Sequence, residues 1–127
     1  MKKYSAEDLK TFEVVNGFII CPTGDYTEIE QFPRCCSFGV GCHCEFGGFY
    51  HVISCGGFGS EYRTTYFFGL TDGRICVRCG CFRGTIEKWE ERVKETHGDS
   101  LLAKAYLGLI EPVETMMQYV RERRKSK

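Results

Sequence analysis

The chain has 127 residues, enough for one domain whose core needs no metal or disulfide to hold it. Lys+Arg and Asp+Glu each number 17, so no global field draws the protein to nucleic acid or an anionic membrane, and any anion binding has to be local. No apolar run approaches the ~18 residues of a membrane span. Met1-Lys2-Lys3 leads into polar residues, not into the apolar stretch of a signal peptide, and a cytoplasmic protein is expected. In a reducing compartment nine cysteines raise metal binding before disulfides, and their odd number argues against a complete disulfide framework.

In chain order, Ser5 caps a short helix over residues 5–13 with Asp8 at the third helical position. Asn16-Gly17 between apolar runs predicts a strand, a turn and a strand up to Cys21, and residues 26–31 alternate weakly enough to suggest a short edge strand. From Cys36 the sequence falls into glycine-rich blocks of six. Two clear blocks are fewer than the roughly three that a stable solenoid needs, so irregular strands are expected, with a vestigial β-coil over 36–59 as the alternative.

Residues 63–82 carry the strongest local signal, two runs of β-branched, aromatic and sulfur residues on either side of Asp72-Gly73. A two-residue turn there pairs Leu70 with Ile75, Phe68 with Val77, Phe67 with Arg78 and Arg63 with Phe82. One face then collects Tyr66, Phe68, Leu70, Val77 and Cys79 as core. The other collects Arg63, Thr65, Phe67, Arg74, Arg78 and Phe82, an outward set that can grip phosphate and stack a base.

Beyond the hairpin, Thr85 caps a helix that Gly98 closes, with Trp89 as a core anchor. Asp99 or Ser100 caps a second helix, and Pro112 either ends it or opens a third. The whole reads as a single α+β domain over 1–127, with an antiparallel β-rich part at 14–82 and two or three helices at 85–124 packed on the sheet.

Catalysis finds no anchor, because no phosphate loop or dinucleotide fingerprint is present and no local arrangement of a cysteine with His43, His51 or His97 demands an activated thiol or a base held within hydrogen-bond reach. Cys76-x-x-Cys79 lies inside a strand, where residues three apart point to opposite faces, so no metal site is expected there. If zinc binds, Cys36, Cys42, Cys44 and His51 are its ligands.

Cys36-Ser37-Phe38-Gly39-Val40-Gly41-Cys42 resembles the cysteine-serine-phenylalanine-glycine repeats of uncharacterised phage and gut-microbial proteins. Gly56-Gly57-Phe58-Gly59-Ser60, residues 63–68, 77–82 and 93–98 resemble the C-terminal domain of those proteins, a match over roughly 35–110 that lacks the long array. The resemblance implies a phage-associated protein in an infected bacterial cell. The function expected is non-enzymatic binding, as counter-defence, of a small host nucleotide signal or of a host defence protein. A structural cap of a repeat array and a zinc-supported interaction domain are the alternatives. A homo-oligomer is expected; membrane and nucleic-acid partners are not.

Overall fold

A computed structural model describes residues 1–33, 35–59, 61 and 63–125. Ser5 and Asp8 form the expected capping box on α1 (Ala6–Leu9). Asn16 and Gly17, both at positive φ (51° and 83°), turn β1 (Val14–Val15) into β2 (Phe18–Cys21). Residues 26–31 form no strand. Asp25 accepts the Thr27 N–H at 2.9 Å and its hydroxyl, and this local turn displaces the expected extended pairing.

β3 (Cys36–Phe38) lies parallel to β2, with Ile19 opposite Cys36 and Cys21 opposite Phe38. Asp25 is bridged in the same parallel sense to Lys3 and to His43. Residues 19–25 and 36–43 therefore stack as successive rungs of a small coil. The six-residue blocks are not its repeat, because past residue 43 the chain reverses into the antiparallel pair β4 (His43–Cys44) and β5 (Gly47–Phe58).

The main sheet has the order β4-β5-β6-β7-β8, with β6 (Arg63–Leu70), β7 (Ile75–Cys79) and β8 (Phe82–Thr85) all antiparallel. Its central hairpin corrects the expected register by one residue: Phe68 faces Cys76, Phe67 faces Val77 and Tyr66 faces Arg78. The loop has three residues. Leu70 N–H donates to Arg74 C=O at 2.9 Å and Gly73 N–H to Leu70 C=O at 3.0 Å, with Gly73 at φ +99°. The Asp72 carboxylate favours this loop by accepting the Arg74 N–H at 3.0 Å and its guanidinium at 2.9 Å.

A one-residue slip moves every β7 side chain to the other face. Tyr66, Phe68, Leu70 and Cys76 enter a front core with Tyr26, Phe32, Phe38 and Phe49, while Phe67 and Val77 enter a rear core with Trp89, Tyr106, Val113 and Met117. Both faces of the hairpin are thus covered, and the expected outward face does not exist. The rear core is built by α2 (Ile86–His97), α3 (Leu101–Leu107) and α4 (Ile110–Lys125). Thr85 and Ser100 cap α2 and α3, Gly98 closes α2, and Pro112 lies in the first turn of α4, where its missing N–H costs nothing.

The register places Arg78 inside the front core at 4% exposure. Its guanidinium lies 5.0 Å from the Phe68 ring centre and 5.9 Å from Tyr66 and Phe32. It donates to Glu45 at 2.6 and 2.8 Å and to the carbonyls of Ile29 and Glu30 at 3.0 and 2.8 Å. Arg78→Ala leaves the Ile29 and Glu30 carbonyls without their donor and takes from Glu45 the closer of its two arginines, Arg83 remaining at 3.4 Å, so equilibrium urea unfolding should show a loss of roughly 1–3 kcal/mol. Arg78→Lys lacks the planar fork and should recover only part of it. Unchanged stability in Arg78→Ala would contradict this structural role.

Candidate functional site

The six residues expected to share one surface separate. Phe67 is fully buried, its ring 5.4 Å from Trp89 in an edge-on contact, and Arg78 is enclosed in the front core. Arg74, exposed, remains at the β6–β7 loop beside Asp72 and the Phe46 carbonyl. Arg63, Thr65 and Phe82 do come together. They line a cleft of about 290 Å³ between the sheet and α2, on the face opposite the front core.

Trp89, Arg92, Val93, Thr96 and His97 give this cleft one helical wall, a single face of α2 by their three-and-four spacing. Phe58 and Gly59 from the end of β5, Cys79 at the end of β7, Phe82 from β8 and Tyr106 from α3 complete it. The glycine has a steric reason: at φ +88° a Cβ on Gly59 would overlap the Tyr106 hydroxyl. Tyr106 is held between three rings, edge-on to Trp89 at 5.6 Å, stacked on His97 at 6.0 Å and tilted against Phe58 at 6.3 Å.

Thr65, 1% exposed, donates its hydroxyl to the Cys79 sulfur at 3.4 Å, and the Tyr106 hydroxyl also hydrogen-bonds with that sulfur. Burial, and after it the Cys79 neighbour, pushes the Tyr106 phenol up to about 12.

The charges of the cleft are unevenly partnered. Arg63 pairs with Glu61 at 2.5 Å. Arg92 is exposed, lies 5.6 Å from the Phe82 ring centre and has no carboxylate partner among the described residues. Glu61 offsets one of the two arginines, which leaves a surplus of positive charge beside an aromatic wall. Such a wall suits a planar, anionic ligand. A second depression, on the front side of the sheet, contains Arg63, Arg78 and Arg83, but Arg78 and Arg83 are tied to Glu45 and Arg83 also to Glu30. Each of its three arginines has a carboxylate partner, Arg63 through Glu61.

Cys36, Cys42, Cys44 and His51 do not converge. Cys42 donates to the Pro22 carbonyl at 3.6 Å, Cys44 is buried on β4 with its thiol pushed up to about 11 by burial, and His51 is half-buried on β5. Among the described residues no group of three or more His, Cys, Asp or Glu is placed to hold a metal ion. Cys36 instead hydrogen-bonds with Cys21, which raises the Cys21 thiol and lowers that of Cys36. Cys81 is exposed in the turn between β7 and β8.

Comparison with family models, with curated proteins and with solved structures finds no match to this chain. Among the described residues no helix is long and apolar enough to cross a membrane.

The Tyr106 shift has a defined sign. Its phenol is raised above the ~10 of an unfolded tyrosine, so its contribution to stability is complete below about pH 10 and is lost as pH rises toward 12. Tyr106→Phe keeps the ring and removes this titration. Thermal melts of the variant should therefore fall less steeply than the parent's across that alkaline window, and parallel curves would show that Tyr106 does not contribute.

Proposed function

We propose that the protein is a non-enzymatic binding protein whose α2 cleft takes a small nucleotide-type ligand, a planar heterocycle carrying an anionic group. Arg92 carries this reading: it is exposed, has no carboxylate partner among the described residues and lies over Phe82 in a cleft shared with Arg63. A guanidinium without a counter-ion keeps its fork for phosphate, and a neighbouring ring offers a stacking edge or face to a base. The cleft volume of about 290 Å³ lies just below the roughly 300–1,000 Å³ range of small-molecule sites, which suits a mononucleotide better than a peptide or oligonucleotide. Cys79 has hydroxyl neighbours, Thr65 and Tyr106, where a nucleophile would need an imidazole or carboxylate base, and this supports binding without turnover.

The resemblance of residues 35–110 to phage proteins makes a host defence nucleotide the first ligand to test, sequestered and not converted. A host defence protein is the other target that this origin suggests. A structural role as the cap of a repeat array is favoured by a separate observation, the parallel stacking of residues 36–43 on 19–25 beside the exposed Phe18, Ile20 and Val40.

Trp89, the chain's one tryptophan, lines the cleft and reports on it. A panel of mononucleotides, cyclic nucleotides and ADP-ribose derivatives should contain a member that shifts Trp89 fluorescence and is recovered chemically unchanged after denaturation. Arg92→Ala or Phe82→Ala should weaken it about tenfold or more, equivalent to about 1.4 kcal/mol. Arg74→Ala, outside the cleft, should leave it unaltered. Conversion of the ligand would overturn the non-enzymatic assignment. Equal binding by Arg92→Ala would move the site elsewhere, and no binder in the panel would remove the ligand class.

A further inference from the structure

Two thiols line the α2 cleft with a single residue between them, Cys79 and Cys81. Cys79 ends β7 and pairs with Phe82, the first residue of β8, so Gly80 and Cys81 form a two-residue turn. Gly80 takes the positive φ, +58°, that such a turn requires. Two residues of fully extended chain span about 7 Å, and the turn draws the Cα atoms of Cys79 and Cys81 closer, into the roughly 4.4–6.8 Å that a disulfide bridges.

The two thiols differ in a way that suits sequential chemistry. Of the nine cysteines only Cys81 is exposed, open to a reagent from solvent. Cys79 is half-buried, and its sulfur accepts from the Thr65 hydroxyl at 3.4 Å. Thr65 is 1% exposed, so that sulfur stands where water cannot replace it. The Tyr106 hydroxyl meets the same atom, and the Tyr106 ring lies edge-on to Trp89 at 5.6 Å. A change at Cys79 is therefore passed to the aromatic wall of the cleft.

We propose that Cys79 and Cys81 are a reversible dithiol–disulfide pair, oxidised by a low-molecular-weight disulfide of the glutathione type, and that their oxidation reshapes the cleft. The Cys81 sulfur, having given up its proton, attacks one sulfur of the external disulfide. That S–S bond breaks, one half leaves as a thiol carrying a proton, and a mixed disulfide remains on Cys81. The Cys79 sulfur then attacks the Cys81 sulfur, the second half leaves as a thiol with the Cys79 proton, and the Cys79–Cys81 bond forms. Two protein thiols are oxidised and one external disulfide is reduced to two thiols. A ring closed across one residue gains little from chain entropy, which favours reversal by the same thiols. Control of a nucleotide by this pair rests on the function proposed above; the sulfur chemistry does not.

The full chain is equilibrated with mixtures of reduced and oxidised glutathione, quenched with iodoacetamide under denaturing conditions and digested with trypsin. Cleavage after Arg78 and Arg83 places both cysteines in the peptide 79–83, Cys-Gly-Cys-Phe-Arg. That peptide should appear two hydrogens lighter and unalkylated, and dithiothreitol should restore it. Cys79→Ser should stop at one glutathione on Cys81, and Cys81→Ser, an exposed position, should keep its fold and form no bridge. Trp89 fluorescence should shift on oxidation of the wild type and stay constant in Cys81→Ser. A wild type that stays reduced at 79–83 while other cysteines oxidise, or that keeps glutathione on Cys81 unresolved, would overturn the pair. A bridge that forms without moving Trp89 fluorescence would overturn its link to the cleft. These readouts need no nucleotide, so their failure is separable from a failure to find a ligand.

Discussion

The fold depends on keeping a guanidinium inside an aromatic core. Arg78 joins the hairpin, the β4–β5 turn and the 26–32 loop by hydrogen bonds, through Glu45 and the carbonyls of Ile29 and Glu30. A buried charge is tolerated when its donors are satisfied and its partner is close, and flanking rings add attraction through their negative faces. The loop before Phe32 has no strand to hold it, so its carbonyls are fixed from the side by this arginine. That in turn seats Phe32 against Phe38 and Phe68, at 5.7 and 5.8 Å between ring centres. The front half of the molecule is thus positioned by one side chain of β7.

Much of the architecture was legible because its signals are local. The Ser5–Asp8 box, the Asn16-Gly17 turn, the Thr85 cap and the Gly98 terminus each need a few adjacent residues, and each lies where those residues predicted. The hairpin at Asp72-Gly73 was also legible, but its loop length was not. The Asp72 side chain selects a three-residue loop over a two-residue one, and because side chains alternate along a strand, that single residue exchanged the two sets of β7. Arg78 moved from an expected ligand surface into the core, and Val77 and Cys79 moved to the helical side. The parallel rungs were hidden because residues 19–25, which pair with 36–43 at a distance of 17 or 18 positions, precede the six-residue blocks that begin at Cys36.

The cleft could be read only in part. Arg63, Thr65 and Phe82 were singled out from the hairpin, whereas Arg92, His97 and Tyr106 come from helices whose packing direction no local pattern sets. One signal was available: Trp89, Arg92, Val93, Thr96 and His97 share a helical face that mixes apolar with charged and polar residues, which is unusual for a face that is wholly core. The rear core and the cleft are therefore one continuous structure, with Trp89 and Tyr106 belonging to both.

A last contact bears on how the chain is made. Arg124, near the C-terminal end of α4, donates to the carbonyls of Phe38 and Tyr50, which precede it by 86 and 74 residues. During synthesis at roughly 5–20 residues per second, those carbonyls wait on the order of ten seconds for their partner to be translated. The coil and the first strands can collapse earlier, but the junction between β3 and β5 closes only when the last helix arrives. Closure of the front core at that junction is thereby coupled to the folding of the rear.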